Sequence, residues 1–291
     1  MKVLINGANG QVGSSIAKIK NFPSLKLILV SREDWDMALS PNDANILINR
    51  HKPDLIINAA TYTDVEKAET EKNTAINVNS LAVKALSRAA SEIDIPIFHI
   101  STDYVFDGNK DTSYEEGDET NPLNVYGLSK LDGEKHLLNE NNKSLIVRTS
   151  WVFAENKKNF VNSMLNLFLT KSKINVIDDQ IGGPTSADSI AYVLMIAAYK
   201  YSIEKDLEWG VYHFSGADFV SWFEFANFIC SNLNNLSNKY TIKEITRCST
   251  EDFNTIAKRP KNSCLNSSKI CNYLGIEPCD WKNDVKNLIQ K

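Results

Sequence analysis

Lys2-Val-Leu-Ile-Asn6 is a short apolar run that leads directly into Gly7-Ala-Asn-Gly10-Gln-Val-Gly13, and a helical pattern follows to about residue 20. This order predicts a strand, a glycine turn and a helix. Glycines allow the backbone to approach a pyrophosphate, and the free N–H groups at the positive end of a helix attract its charge. We therefore expect a dinucleotide-binding turn, although its spacing is G-x-x-G-x-x-G rather than G-x-G-x-x-G.

The run from Leu25 to Val30 predicts a second strand, which ends in Ser31-Arg32. The end of this strand normally meets the adenosine ribose, where an acidic residue binds the 2′-hydroxyl and repels a 2′-phosphate. Arg32 could instead pair with that phosphate, which favours NADPH over NADH. A solvated surface arginine, with Glu33 or Asp34 in the acidic role, is the alternative, so NADH stays possible. Asp36 and Met37 are further candidates for cofactor contact.

Strands alternate with helices through the first half of the chain. Apolar runs at 54–60, 95–100 and 144–149 predict strands, and the segments at 40–51 and 70–93 have helical patterns, the first with an N-cap at Ser40. This alternation predicts an α/β fold with a doubly wound parallel sheet. Small residues end the third strand and are candidate cofactor contacts: Ala59, Ala60, Thr61 and Thr63.

The regular alternation of strands and helices ends after residue 150. We expect residues 1–150 to form a Rossmann domain that binds NAD(P), with the chain returning to it at about 186–214. Residues 151–185 and 215–291 are then expected to form a smaller α/β substrate-binding domain, mostly irregular beyond the helix that starts at Trp222. The acidic, turn-rich segment 107–122 is expected to be a loop that could cover a site.

Bulk composition excludes several classes of protein. A net charge of −4 and a pI near 5.7 offer no basic surface for nucleic acid. No apolar run reaches the ~18 residues of a membrane span, and no signal-peptide core precedes the glycine turn, so we expect a cytoplasmic protein without membrane contact. The five cysteines lack Cys-x-x-Cys spacing and the four histidines lack metal-binding spacing, which predicts reduced thiols and no metal site.

Three groups near the predicted strand ends could reduce a ketone together. Tyr126 and Lys130 lie four residues apart on one face of a predicted helix, and Thr102 follows the fourth strand. When hydride reaches a carbonyl carbon, the oxygen must be hydrogen-bonded and then protonated. A Thr hydroxyl and a Tyr phenol can do both, while the Lys130 ammonium is expected to lower the pKa of Tyr126 and to bind the nicotinamide ribose.

The two short motifs resemble those of the extended short-chain dehydrogenase/reductases. Longer segments are similar to the dTDP-4-dehydrorhamnose reductases within that superfamily, over nearly the whole chain. These segments are Ser101-Thr-Asp-Tyr-Val-Phe-Asp-Gly108, Asn121-Pro-Leu-Asn-Val-Tyr-Gly127, Arg148-Thr-Ser-Trp151, Asp179-Gln-Ile-Gly-Gly-Pro-Thr185 and Lys258-Arg-Pro-Lys-Asn-Ser-Cys-Leu265.

This resemblance implies NAD(P)H-dependent reduction of the 4-keto group of a dTDP-4-keto-6-deoxy sugar, giving dTDP-L-rhamnose. It also implies roles for individual residues. Catalysis is assigned to Thr102, Tyr126 and Lys130, sugar contact to Asp103 and Trp151, cofactor contact to Gly10-Gln11-Val12, and nucleotide contact to Arg259. Some members of the family are dimers bridged by Mg²⁺ through carboxylates, one of them on the first helix. Here that helix begins Ser14-Ser15, so Mg²⁺ is not expected, and a homodimer stays an open possibility.

Three rival functions are consistent with parts of the sequence. A sugar 4,6-dehydratase of the superfamily has an Asp-Glu pair after the active-site Thr, but Asp103 is followed by Tyr104. A sugar 4-epimerase usually has an acidic residue after the second strand, where this chain has Arg32. The rival from another class is a non-catalytic regulatory subunit resembling the NADP-binding partner of methionine adenosyltransferase, which would have an incomplete catalytic set.

Overall fold

The computed structural model describes residues 1–155, 157–233, 240–253 and 255–290. The strands are β1 (Lys2–Asn6), β2 (Lys26–Val30), β3 (Leu55–Asn58), β4 (Ile97–Thr102), β5 (Ser144–Thr149), β6 (Val152–Phe153), β7 (Lys173–Ile177), β8 (Ile181–Gly182), β9 (Thr185–Ser186), β10 (Gly210–His213), β11 (Val220–Ser221), β12 (Glu244–Cys248) and β13 (Asn262–Ser263). The α-helices are α1 (Gln11–Lys18), α2 (Ala44–His51), α3 (Val65–Ala68), α4 (Lys72–Ile76), α5 (Ala82–Glu92), α6 (Val125–Glu140), α7 (Phe160–Thr170), α8 (Ala187–Glu204), α9 (Trp222–Leu233), α10 (Ser268–Leu274) and α11 (Trp281–Ile289).

Six parallel strands form the central sheet in the order β10-β5-β4-β3-β1-β2. Alternate residues of β1 point to opposite faces, as the period of a strand requires. Val3 and Ile5 belong to the hydrophobic cluster that also includes buried residues of α1 and α8. Leu4 belongs to a second cluster, with residues of α2 and α5. Both faces of the sheet are therefore covered, and the predicted doubly wound α/β fold is confirmed.

The chain leaves β1 in one direction to β2 and later returns to the other side of β1 with β3. In open parallel sheets such a switch opens a crevice at the carboxyl ends of the strands, where ligands bind. The glycine turn follows β1, and Ala59-Ala60 follows β3. The fold thus brings these two segments to one crevice.

The segment after α9 is more regular than the sequence suggested. β12 pairs in parallel with β7, β13 pairs with β8, and α10 and α11 follow. Trp281 of α11 is almost completely buried, with its ring against those of Phe225 and Phe228. The expectation of an irregular stretch was wrong, because these elements are short and are stabilised by distant partners rather than by their own periodicity.

Two local expectations also change. The predicted N-cap at Ser40 was wrong, since α2 begins at Ala44; the Ser40 carbonyl instead accepts hydrogen bonds from the Trp35 indole (2.8 Å) and from Asp43 N (3.2 Å). The segment 107–122 is a loop, as expected, but it is fixed to the C-terminal part of the chain. Tyr114 forms a β-bridge with Leu265 and stacks on Phe106.

Candidate active site

A cavity of about 640 Å³ lies at the carboxyl edge of the central sheet. It extends from the glycine turn and the end of β2 to α6 and the segment after β5. Seventeen of the eighteen residues proposed from the sequence as site residues line it: Gly7, Gly10, Gln11, Val12, Arg32, Asp36, Met37, Ala59, Ala60, Thr61, Thr63, Thr102, Asp103, Tyr126, Lys130, Trp151 and Arg259.

The glycine turn provides one wall of the cavity. Gly7 has φ of +82°, and a Cβ there would lie 2.5 Å from Ala60 N. Gly13 does not line the cavity, because it packs behind the turn, where a Cβ would lie 2.2 Å from Gly7 O. No side chain caps the N-terminus of α1, so its first N–H groups are free to bind an anion. The turn therefore fits a dinucleotide pyrophosphate.

Polar groups at the end of β2 lie at the edge of the same wall. Asp34 Oδ2 accepts a hydrogen bond from Ser31 N (2.9 Å), and this bond lowers the pKa of Asp34. Asp36 Oδ1 accepts from Ala38 N (2.9 Å), so its carboxylate closes a local turn. Arg32 is exposed and lines the cavity, where its guanidinium can reach an incoming phosphate.

Thr102, Asp103 and Tyr126 meet on the opposite wall. The Thr102 hydroxyl donates to Asp103 Oδ1 (2.9 Å) and lies beside the Tyr126 phenol. Burial raises the pKa of Tyr126 above its ordinary value, and the neighbouring Thr102 hydroxyl opposes that rise. Burial also raises the pKa of Asp103 to about 6. A phenol that stays protonated beside a hydroxyl can donate a proton to a carbonyl oxygen.

Lys130 lies one helical turn beyond Tyr126, but its amino group is directed at the sheet. Its Nζ donates to Ile100 O (2.6 Å) and lies 3.1 Å from His99 Nε2. Burial lowers the pKa of Lys130 to about 7. The shifts in the pKa of Tyr126 come from burial, Thr102, Asp103 and Tyr104, so the predicted tuning of Tyr126 by Lys130 stays a prediction.

Unpaired buried polar atoms are concentrated here. Within the described ranges, five buried side-chain atoms lack a hydrogen-bond partner, and four of them belong to residues of the cavity wall: Ser101 Oγ, Asp103 Oδ2, Thr149 Oγ1 and Arg259 Nε. Burying such groups without partners costs free energy. Their clustering indicates a surface that a polar ligand completes.

Trp151 lies in the wall as expected, but its ring already has an aromatic partner. Its φ is +46°, and its indole stacks on Trp222 with ring centroids 3.4 Å apart and planes 6° from parallel. The sequence showed an aromatic-rich helix starting at Trp222 but gave no sign of this contact. Gly182 lies against the same indole, since a Cβ there would be 2.5 Å from Cε2. The two indoles form a flat apolar surface suited to a sugar.

Arg259 approaches the site from the C-terminal part of the chain. Its guanidinium pairs with Glu66 of α3 (3.1 Å), which also accepts from Ile256 N (2.9 Å). Tyr104 lies beside it, and the ring of Tyr104 packs edge-on against Tyr126 at 5.7 Å. Tyr104 was not among the predicted site residues, although it belongs to the segment that carries the resemblance. Arg259 and Tyr104 connect the substrate side of the cavity to the catalytic helix.

No group of three or more His, Cys, Asp or Glu side chains is placed to hold a metal ion among the residues described. The five cysteines are free thiols. In the part of the chain that the structure covers, none of the helices combines the length and apolar character needed to cross a membrane.

Known proteins match this chain over its full length. The family model described as RmlD substrate binding domain matches residues 1–291. A dTDP-4-dehydrorhamnose reductase of Aggregatibacter actinomycetemcomitans is 41% identical over 99% of this chain and 98% of its own.

Two solved structures are also similar. A dTDP-4-dehydrorhamnose reductase from Clostridium acetobutylicum has a TM-score of 0.89 and 35% identity, covering 100% of this chain and 99% of its own. Another from Bacillus anthracis, in complex with NADP, has a TM-score of 0.89 and 30% identity, covering 99% and 98%.

Proposed function

The chain belongs to the dTDP-4-dehydrorhamnose reductase family, as its sequence predicted, and from this premise we propose that it reduces dTDP-4-dehydro-L-rhamnose to dTDP-L-rhamnose with NADPH. It is an NAD(P)H-dependent oxidoreductase that acts on a dTDP-sugar. The observation that carries the substrate and mechanism is the meeting of Thr102 and Tyr126 across one cavity from the glycine turn.

The glycine turn and the uncapped start of α1 would hold the cofactor pyrophosphate, and Ala59-Ala60 would leave room for its ribose. Bound reduced nicotinamide supplies a hydride to the carbonyl carbon. Arg32 would favour the 2′-phosphate of NADPH, and NADH stays a second donor to be tested.

In this mechanism Thr102 and Tyr126 act on the carbonyl oxygen. Their hydrogen bonds stabilise the negative charge that develops there, and Tyr126 then donates its proton. The raised pKa of Tyr126 keeps the phenol protonated and ready to donate at neutral pH. Lys130 would bind the nicotinamide ribose after leaving its present contacts. Asp103 and Trp151 would contact the sugar, and Arg259 the nucleotide phosphates.

The proposal keeps the expected division of the chain. Residues 1–150 with 186–214 would bind the cofactor, and 151–185 with 215–291 would bind the sugar nucleotide; positions 156, 234–239, 254 and 291 lie outside the described residues. The placement of β10 in the central sheet supports the returning segment. Cytoplasmic location and a homodimer stay predictions, which fractionation and sedimentation would test.

The test is NADPH oxidation by the purified protein with the dTDP-4-keto sugar. Tyr126→Phe removes the proton donor, so kcat is expected to fall by at least about 100-fold. Tyr212→Phe is the matched control, because it removes a phenol that donates to Glu208 O (2.6 Å). Undiminished turnover by Tyr126→Phe would refute the mechanism. Tight NADPH binding without turnover by the wild type would favour the regulatory subunit.

A further inference from the structure

A line of buried polar side chains crosses the sheet behind α6. Asn6 ends β1, Asn58 ends β3, and His99 lies in β4, so the parallel register places them side by side. Asn6 Nδ2 lies 2.9 Å from Asn58 Oδ1, and Asn58 Nδ2 lies 3.0 Å from His99 Nδ1. His99 Nε2 lies 3.1 Å from Lys130 Nζ. All four residues are at most 1% exposed, so their hydrogen bonds have to be satisfied by one another.

Met37 fixes the direction of this line. Its thioether sulfur can accept a hydrogen bond but carries no hydrogen to donate. The group of Asn6 that lies 3.3 Å from the sulfur is therefore the Nδ2 amide, which also donates to Asn58 Oδ1. Once its oxygen is used in this way, Asn58 presents its Nδ2 donor to His99.

The orientation of Asn58 determines the tautomer of His99. Because Nδ1 accepts from Asn58, a neutral imidazole must carry its proton on Nε2. That proton points at Lys130 Nζ, which can accept it only as a neutral amine with a lone pair. The amine keeps a donor for Ile100 O at 2.6 Å. If His99 were an imidazolium, Nδ1–H would face the Nδ2 donor of Asn58. Two donors cannot form a hydrogen bond with each other, so the ring is neutral.

The charges around Lys130 agree with a neutral amine. On its own helix, Tyr126 precedes it and Glu134 follows it by one turn, and Glu134 is paired with Arg148 of β5 at 2.7 Å. From β4 it meets His99. Burial lowers the pKa of Lys130 to about 7, and Glu134 opposes the shift only in part. Burial holds the pKa of His99 well below its usual range, so its imidazole is neutral, and a charged Lys130 would lower that pKa further.

We propose that His99 is a positioning residue for Lys130, and that Asn58, Asn6 and Met37 fix the orientation of the His99 ring. In the cofactor-free enzyme, this arrangement holds Lys130 as a neutral amine directed at the sheet. For Lys130 to bind a ribose as an ammonium, Nζ takes up one proton from solvent. To keep its contact with the Lys130 ammonium, His99 then needs a free lone pair on Nε2 and must carry its own proton on Nδ1. The side-chain amides of Asn58 and Asn6 would both have to turn over to accept and relay that proton's hydrogen bond. The direction of the hydrogen bonds from Asn6 through Asn58 to His99 therefore determines whether Lys130 is favoured as an amine or as an ammonium.

The first test reads the tautomer directly. In protein with ¹⁵N-labelled histidine, we expect the His99 signal, identified by its loss in His99→Gln, to show the neutral form protonated at Nε2 at pH 8 to 9, above the pKa of Lys130. An Nδ1-protonated or cationic His99 in the cofactor-free protein would overturn the proposal. This measurement needs no turnover, so it stands even if the proposed substrate is wrong.

The second test reverses the direction of the hydrogen bond between residue 58 and His99. Asn58→Asp keeps the shape but offers only acceptors, so His99 must place its proton on Nδ1 and accept from a Lys130 ammonium. We expect the tautomer to switch and the alkaline limb of the pH–rate profile to move up by about one unit or more. Asn141→Asp is the matched control, a buried asparagine whose amide donates to Ile95 O (3.0 Å) away from this line.

The outcomes separate the two proposals. The pH–rate measurement rests on the proposed function. If the wild type is inactive with the sugar, that result contradicts the proposed function alone. An active Asn58→Asp protein with unchanged tautomer and pH profile contradicts the role of His99. If Asn58→Asp does not fold, the wild-type spectrum decides the matter.

Discussion

The wall of the cavity beside α1 is made of backbone and small side chains, whereas the wall beside α6 is made of polar and aromatic side chains. On the first wall, Gly7 and Ala60 approach so closely that one added carbon would collide with the backbone. On the second, a hydrogen bond joins Thr102 to Asp103, and both lie beside Tyr126. The first wall therefore depends on the lack of a side chain at Gly7, and the second depends on the functional groups of its side chains. The two should fail in different ways when they are changed.

Thr102→Val tests the second wall with the largest expected effect. The change removes the hydroxyl beside Tyr126 at nearly constant volume, so kcat should fall by about 10²–10³-fold, as when an oxyanion donor is lost. NADPH affinity should not change. Steady-state kinetics and a fluorescence titration measure the two effects. Thr102→Ser, which keeps the hydroxyl, is the control, and similar rates for Ser and Val would contradict the role given to the hydroxyl.

Gly7→Ala tests the first wall. The new Cβ meets Ala60 N, and the φ of +82° strains any residue with a side chain by about 1–3 kcal/mol. If that cost falls on the cofactor complex, the Kd for NADPH rises by up to about 100-fold. Gly117→Ala is the control, because a Cβ there meets nothing within 4 Å. Normal NADPH affinity in Gly7→Ala, measured by titration, would show that the turn does not hold the cofactor.

Trp222→Leu should affect the sugar side alone. Losing an aromatic stack costs about 0.5–1.5 kcal/mol, which corresponds to a KM for the sugar raised up to about tenfold. The Kd for NADPH should stay constant. Trp209→Leu, a change of the same size beside Tyr201, is the matched control. An equal loss of NADPH and sugar affinity would mean that the two walls are not independent.

Asp103→Asn tests folding stability rather than rate or affinity, and its effect depends on pH. Burial raises the pKa of this carboxyl to about 6, so its ionisation opposes folding above pH 6 and has no effect below the ordinary value of 3.8. The variant should therefore be more stable than the wild type at pH 8, by up to about 3 kcal/mol, but not at pH 4. Thermal denaturation at both pH values measures this. A gain that is equal at both would assign the effect to packing.

The same contrast explains how far the sequence predicted the site. The glycine turn and the Tyr126/Lys130 pair are local patterns whose spacing has a physical meaning, and the parallel topology brings them together. The stack of Trp151 on Trp222 joins segments that are distant in sequence, and nothing in either segment specifies it. The inward direction of Lys130 was missed for a similar reason. It depends on His99, Asn58 and Asn6, which look like ordinary strand residues until their strands are aligned.

The C-terminal elements show the same limit for the fold. β12 is as long as β1 but is polar and only partly buried, and β13 has only two residues. Each is stabilised by pairing with a strand far earlier in the chain. By contrast, β1, β3 and β5 contain continuous apolar runs because both faces of the sheet are buried there, which is why these strands could be predicted from the sequence.

Two indoles in parallel contact also make a built-in optical reporter. The stacked rings of Trp151 and Trp222 are close enough for their electronic transitions to couple, and this coupling is sensitive to the relative orientation of the two rings. A sugar that binds at this surface and turns one of the rings would change their absorbance or fluorescence. The arrival of a ligand at this surface could thus be followed in unlabelled protein, separately from the absorbance of the nicotinamide.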